Sequence, residues 1–261
     1  MYKHLKTVGY VLLLFMLFPL RETLAEVNNS ARAEEILNRA DDVRSPWSDF
    51  TMTAKLEYEK MGEQKKDLFR VYIKDHVNSL VCYLEPLKQR GNLLLMLDDN
   101  LWYYVHKTQR PMRITPIQKL SGGASYGDVS RLSWGKDYTA SFGGSEQLTV
   151  KGRVYDTWFL KLNARSRSAT YSAIDLYVEK STGYPRKAIV YLRSGKKMKT
   201  LYFTTFSTIN GRAMNTGMEF IDHLEGDSKT TMIFSGVSVR KSPARYFLKS
   251  NLPSIYPDLF N

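Results

Sequence analysis

Phe50-Thr51-Met52-Thr53-Ala54-Lys55-Leu56-Glu57-Tyr58-Glu59 is the stretch that decides the fold. Phe, Met, Ala, Leu and Tyr fall at one parity and Thr, Thr, Lys, Glu and Glu at the other. Successive side chains of a strand point to opposite faces, so strict alternation marks a strand with one face buried and one wet. Downstream, Met61-Gly62-Glu63-Gln64 turns the chain and Leu68 to Lys74 returns it. Leu80 to Leu84 follows. Leu93 to Leu97 and Leu101 to Val105 then flank the turn signal Asp98-Asp99-Asn100, and Met112 to Ile117 supplies one more short strand.

A second set of strands runs through Val154 to Leu162, Ala173 to Val178, Lys187 to Arg193, Thr200 to Ser207, Ala213 to Ile221 and Thr230 to Val239. Its turns are Ser181-Thr182-Gly183, Ser194-Gly195, Asn210-Gly211 and Glu225-Gly226-Asp227, of which Asn-Gly is the strongest hairpin signal. Strands at this spacing predict a meander that closes toward a barrel or a curved half-barrel. Between the two sets, residues 120–146 break the rhythm. Ser121 to Val129 is rich in glycine and small residues, and Asp128 to Leu132 opens a short helix. Neither GxGxxG nor GxxxxGK[ST] is present, so the stretch reads as a mobile loop or lid and not as a phosphate cradle.

Ahead of the first strand, Ser30 to Val43 has helical spacing at Ala33, Ile36, Leu37 and Ala40, with Asn29 or Ser30 to cap it and Pro46 to stop it. Before that come Lys3 and Lys6, an apolar run from Val8 to Leu20, and Thr23-Leu24-Ala25. That is the order of a secretory signal, cut after Ala25. The run is shorter than the roughly 20 apolar residues of a spanning helix, which disfavours a retained anchor. No cysteine follows the cut, which argues against a lipid-modified N-terminus. At the other end, Ser250 to Asn261 carries Pro253 and Pro257 and reads as a tail or a docking strand. Without a repeat or a low-complexity linker, residues 26–261 read as one domain.

The chain has 261 residues, a formal charge of +12 and the single cysteine Cys82. An intrachain disulfide is therefore excluded. Cys82 stands in the apolar run Leu80-Val81-Cys82-Tyr83-Leu84 and reads as a small buried hydrophobe. The basic balance suits anionic membranes or acidic partners, and nucleic acid is a poor match for an exported chain. Only Lys196-Lys197-Met198-Lys199 clusters, and it reads as a solvated hairpin turn. His76, His106 and His223 stand apart, without HExxH or His/Cys metal spacing. Asp222-His223 could pair a base with its orienter, but neighbours in a strand face opposite ways. No catalytic residue, metal or cofactor is implied, and the chain reads as a non-enzyme.

Tyr171 to Lys187, with Leu176-Tyr177-Val178-Glu179-Lys180, a short turn and Pro185-Arg186-Lys187, resembles a hairpin of the outer-membrane lipoprotein-sorting family, the LolA/LolB-like periplasmic lipoprotein carriers. Gly195-Lys196-Lys197-Met198-Lys199-Thr200 resembles the turn and strand that follow. Asp98 to Tyr104 and Gly127 to Thr139 resemble the family's entry into a central strand and its middle loop. The likeness runs over most of residues 44–240. The arginine that locks the carrier's lid has no counterpart in Tyr72-Ile73-Lys74-Asp75-His76, where only Lys74 stands.

The resemblance implies a mainly β, single-domain, incomplete curved antiparallel β-barrel. It would have about ten or eleven strands, an N-terminal helix and a helical or loop lid over an apolar cavity, which agrees with the strand count and glycine-rich insertion. It implies a periplasmic carrier that holds the acyl chains of a lipoprotein or lipid and moves it toward the outer membrane. Its partners would be the cargo, an inner-membrane transporter, an outer-membrane acceptor and, transiently, a membrane surface. The alternative is a lipid sensor or transporter adaptor of the same fold. Exposing acyl carbons to water costs roughly 0.8 kcal/mol per CH₂, so crossing an aqueous gap needs an apolar pocket. Methionine, with 10 copies here, is the most adaptable lining. Candidate lining residues are Phe50, Met52, Leu56, Tyr58, Trp102, Tyr104, Leu176, Leu201, Phe203, Met218, Phe220, Met232 and Phe234. Singly each suits an ordinary core, and the expectation concerns the set.

Overall fold

The computed structural model describes residues 29–260. The expected signal, residues 1–25, lies outside the described residues. Helix α1 (residues 29–44) leads. It turns Ala33, Ile36, Leu37, Ala40 and Val43 inward along one stripe, as the spacing predicts.

Six strands follow in hairpin order: β1 (Phe50–Lys60), β2 (Glu63–Lys74), β3 (Asn78–Glu85), β4 (Leu93–Leu97), β5 (Asn100–Val105) and β6 (Arg110–Ile114). A short insertion comes next, made of β7 (Lys119–Ser121), β8 (Ala124–Ser125) and α2 (Tyr126–Ser130). The second meander is β9 (Tyr138–Val150), β10 (Arg153–Ala164), β11 (Ala173–Glu179), β12 (Pro185–Tyr191), β13 (Lys197–Ile209), β14 (Arg212–Asp222) and β15 (Ser228–Ser238).

All but β7 and β8 form one antiparallel sheet of 13 strands, ordered β6-β5-β4-β3-β2-β1-β15-β14-β13-β12-β11-β10-β9. The β1–β15 pair, with Leu56 opposite Met232 and Ala54 opposite Phe234, joins the two meanders. β6 and β9 are left as edges, so the sheet is open and curved and does not close into a barrel. Edge β6 carries Arg110, Pro111 and Arg113, residues that discourage pairing with another chain.

The sheet has more strands than the ten or eleven expected. The strand that sequence reading passed over is β9. Its Ser141-Phe142-Gly143-Gly144-Ser145-Glu146 segment is polar and glycine-containing because it is an edge with little to bury. Gly144 has φ +124° beside the register shift at Phe159/Leu160. A residue without Cβ tolerates that geometry, so the glycines mark a bulge within the strand, not a loop.

Two cores sit on the two faces of the sheet. The larger fills the concave side, between the sheet, α1 and the insertion. The smaller lies on the outer face of β3, β4 and β5, where Leu80, Cys82, Leu93, Leu95 and Tyr104 meet Tyr246, Phe247, Leu252 and Ile255. The C-terminal stretch is therefore neither a loose tail nor a strand. It docks as 3-10 turns at Ala244–Phe247 and Lys249–Asn251 and helix α3 (Tyr256–Phe260). Because β4 is buried on both faces, Leu93 to Leu97 is a continuous apolar run with no alternation. Cys82 is buried as expected, and burial pushes its thiol pKa up.

Candidate functional site

The floor of the concave side is built by alternation. β1 supplies Phe50, Met52 and Leu56, β11 supplies Leu176, and β13 supplies Leu201 and Phe203. β14 adds Met218 and Phe220, and β15 adds Met232 and Phe234. All are buried in one cluster, and Tyr58 packs at its margin. Trp102 and Tyr104 are the exceptions. They project from the other face of β5 into the outer core, and Leu101 and Tyr103 take the inward positions. A shift of one residue moves a side chain to the opposite face, and β5 is apolar at both parities, so local sequence did not decide between them.

α1 and the insertion cover this floor, and three groups of polar contacts hold the cover down. In the first, Lys199 stands on the floor strand β13 and is fully buried. Its Nζ donates to the Gly123 carbonyl at 2.6 Å, to Ser125 Oγ at 2.9 Å and to Asp128 Oδ2 at 3.1 Å, all in the insertion. Asp128 also accepts from the Ser125 amide at 2.8 Å and from the Tyr171 hydroxyl at 2.7 Å. Burial first, and then the Asp128 charge, push the Tyr171 phenol well above its usual pKa, so it stays a donor. Thr230 on β15 accepts from the Gly123 amide at 2.8 Å.

Glycine lets the backbone come this close. A Cβ on Gly122, at φ +53°, would stand 2.4 Å from Thr230 Oγ1, and one on Gly127 would stand 2.1 Å from Thr170 Oγ1.

The second group lies just after α2. Arg131 pairs with Asp137 and, at 2.9 Å, with Asp99 in the β4–β5 turn, and it donates to the Asp98 carbonyl at 3.0 Å. Burial alone would lower the guanidinium pKa, but the two carboxylates outweigh it and hold it above its usual value. In turn the Arg131 contact holds Asp99 below the usual carboxylate range.

The third group anchors α1. Asp41 accepts from the Trp134 amide at 2.7 Å, the Gly135 amide at 2.6 Å and Ser133 Oγ at 2.9 Å. Arg44 lies 3.7 Å from Asp41 and stacks 3.6 Å from the Trp134 ring centre. Burial raises the Asp41 pKa despite Arg44 and these donors, and burial lowers that of Arg44.

The insertion is therefore no mobile loop. Its α2 residues Gly127 to Ser130 are buried, and its contacts to the sheet are specific. The space enclosed beside Arg44, Asp128, Tyr138 and Leu201 is about 10 Å³, room for about one water molecule. The floor is packed against its cover, and this space is far smaller than an acyl-chain cavity.

A family model described as an uncharacterized protein family matches residues 75–254. A crystal structure of a LolA superfamily protein from Nitrosomonas europaea is similar at 27% identity and a TM-score of 0.75, over 84% of this chain and 98% of that one. The chain belongs to the family of that model, and its fold is LolA-like. The LolA-like fold is shared at lower identity by two further crystal structures. A DUF1329 family protein from Desulfovibrio piger matches at 22% and a TM-score of 0.74, over 86% of this chain and 99% of that one. A provisionally named outer membrane lipoprotein-sorting protein domain from Vibrio parahaemolyticus matches at 18% and 0.72, over 86% and 100%. No curated protein matches significantly.

In this LolA-like chain the lone histidines do not meet. His106 stacks on Tyr256, 4.1 Å between ring centres. His223 does not pair with Asp222, which accepts instead from the Leu224 amide. Its ring bridges Thr200 Oγ1, 2.9 Å away, and Asp227. That is the order of a nucleophile, base and orienter, but Thr200 is only 3% exposed, so its hydroxyl caps the ring and does not face a substrate. Among the described residues no group of three or more His, Cys, Asp or Glu could hold a metal, and no helix is long and apolar enough to cross a membrane.

Proposed function

We propose that the protein is an exported, non-enzymatic carrier. It takes the acyl chains of a lipoprotein or lipid between the concave floor and its cover, and moves them through the periplasm toward the outer membrane. The observation that carries this reading is the mismatch between floor and fastening. Ten of the floor side chains are large and apolar and form one surface. The cover packs its own apolar side chains on that surface, and directional polar contacts centred on Lys199 and Arg131 tie it to the sheet while Asp41 ties α1 to residues 133–135. Polar contacts can be exchanged for water when a cover lifts, and a methionine- and phenylalanine-rich floor can repack around chains of different shape. The relatives' names, one a LolA superfamily protein and one a lipoprotein-sorting domain, support the same class. An inner-membrane donor, an outer-membrane acceptor and transient contact with an anionic surface complete the proposal, and the net charge of about +10 that remains without residues 1–25 favours such a surface.

The packed state of the floor favours a second reading, a lipid sensor or transporter adaptor that opens only on its partner. Native mass spectrometry of protein purified from its own envelope without detergent tests both. A discrete added mass of lipid or acylated peptide, together with transfer of that cargo between vesicles, is the carrier result. An apo mass with no uptake of an uncharged apolar probe sinks the carrier and leaves the adaptor.

A further inference from the structure

Beside the cover, a cleft of about 750 Å³ opens between residues 115–117, the β10–β11 loop and the β12–β13 turn. Its size falls in the range of small-molecule sites, roughly 300–1,000 Å³. Three arginines line it: Arg165, Arg167 and Arg193. Arg165 is held in place, donating to the Tyr138 carbonyl at 2.9 Å and lying 3.2 Å from Glu34 on α1. Arg167 and Arg193 are exposed and pair with no carboxylate among the described residues. Arg167 and Arg193 thus concentrate positive charge at the mouth without an internal counter-ion, beside the Arg165–Glu34 pair.

The wall behind that mouth is apolar. Ile117, Ala164 and Ala169 line the cleft and also pack against the concave core. Thr170 and Tyr171 line both the cleft and the small space enclosed beneath the cover. The cleft and that enclosed space therefore share one wall, made by Thr170 and Tyr171. Guanidinium groups recognise phosphate through paired, charge-assisted hydrogen bonds. A cleft that is cationic at its rim and apolar behind it matches a molecule with a phosphate at one end and hydrocarbon at the other.

We propose that this cleft binds the phosphate headgroup of an anionic phospholipid, with the arginines on the phosphate and the proximal acyl carbons against Ile117 and Ala169. The assignment adds a headgroup site to the carrier reading and rests on it only for where the chains go.

The test uses the full mature chain and dihexanoyl phosphatidylglycerol below its micelle concentration, read by titration calorimetry. Dihexanoyl phosphatidylcholine, inorganic phosphate and a hexaglutamate peptide serve as comparison ligands. The expected result is phosphatidylglycerol binding that the Arg167→Gln/Arg193→Gln variant weakens by about tenfold or more. The charge-matched variant Arg240→Gln/Lys241→Gln should change it by no more than about twofold. Equal loss in both variants would reduce the effect to overall surface charge and overturn the site. Phosphatidylcholine bound as tightly as phosphatidylglycerol overturns the preference for an anionic lipid. Inorganic phosphate bound as tightly assigns the cleft to a free anion, and hexaglutamate bound as tightly assigns it to an acidic peptide. Either result overturns the lipid. Failure of the carrier reading is separately visible, as absence of bound acyl mass and of apolar-probe uptake while the arginine-dependent binding persists.

Discussion

Lys199 is the residue that separates local pattern from tertiary role. In the run Lys196-Lys197-Met198-Lys199 it reads as one more solvated turn lysine, but β13 begins at Lys197 and places Lys199 at the parity of Leu201 and Phe203. Its partner Asp128 lies 71 residues earlier, so no local signal announces the pair. Removing one half of a buried ion pair strands the other, at about 3–5 kcal/mol. Lys199→Met is therefore expected to lower unfolding free energy by about 3 kcal/mol in urea titrations. Lys199→Met/Asp128→Asn, which removes both charges and keeps an acceptor for Ser125, should recover at least about 1 kcal/mol of that loss. A double variant no more stable than the single one would show that the pair does not fasten the cover. Glu179 and Glu219 give the acid side. Burial raises both, but the Ser181, Arg186 and Thr182 contacts around Glu179 and the Lys151 and Lys229 contacts around Glu219 outweigh it, so both carboxyls sit below their usual value of 4.5. The unfolded chain then takes up protons first as pH falls. Their stabilisation is complete above the ordinary carboxylate range and is lost as pH falls through that range and below it. Melting temperatures across this range should show a shallower acid limb for Glu219→Gln than for the natural chain.

Among the elements, the insertion of β7, β8 and α2 departs most from its sequence reading. Glycines and small residues suggest mobility when no partner is in view. Here they are small because the backbone must lie against Thr170, Thr230 and Tyr58. The short helix itself was legible from Asp128 to Leu132 and is found at Tyr126–Ser130. Gly127→Ala tests whether this approach keeps the floor closed. Its new Cβ would overlap the Thr170 side chain, so α2 must lift or Thr170 must shift, at about 1–3 kcal/mol as in other overpacked cores. The expected outcome is lower stability together with stronger binding of an apolar fluorescent probe than in the natural chain. Lower stability with unchanged probe binding would mean that the floor stays closed when α2 is displaced. β9 gives the converse lesson: an edge strand buries little on its outer side, so its sequence lacks the alternation that made β1 unmistakable.

At the scale of the whole molecule, the sheet is covered on both sides, by α1 and the insertion within and by the C-terminal stretch outside. A chain ending at Lys241 would bare Leu80, Leu93, Leu95 and Tyr104 together, a contiguous apolar patch of the kind that promotes association. Such a truncation is expected to lower the melting temperature and to shift the protein to larger assemblies than the natural chain in size-exclusion chromatography. A truncated chain that elutes as the natural one does and is equally stable would show the strap to be dispensable. By itself the sequence determined the class of the fold, the leading helix, most of the strands and their antiparallel order, because alternation and turn chemistry act between neighbours a few residues apart. The ten floor residues of the concave cluster were legible for the same reason. Only the tertiary structure decided the rest: the face of β5 that looks inward, the partner of Lys199, the closeness of the glycine-rich cover and the small size of the space beside Arg44 and Leu201. These depend on contacts between residues far apart in the chain, where sheet curvature and packing, not local pattern, set the distances.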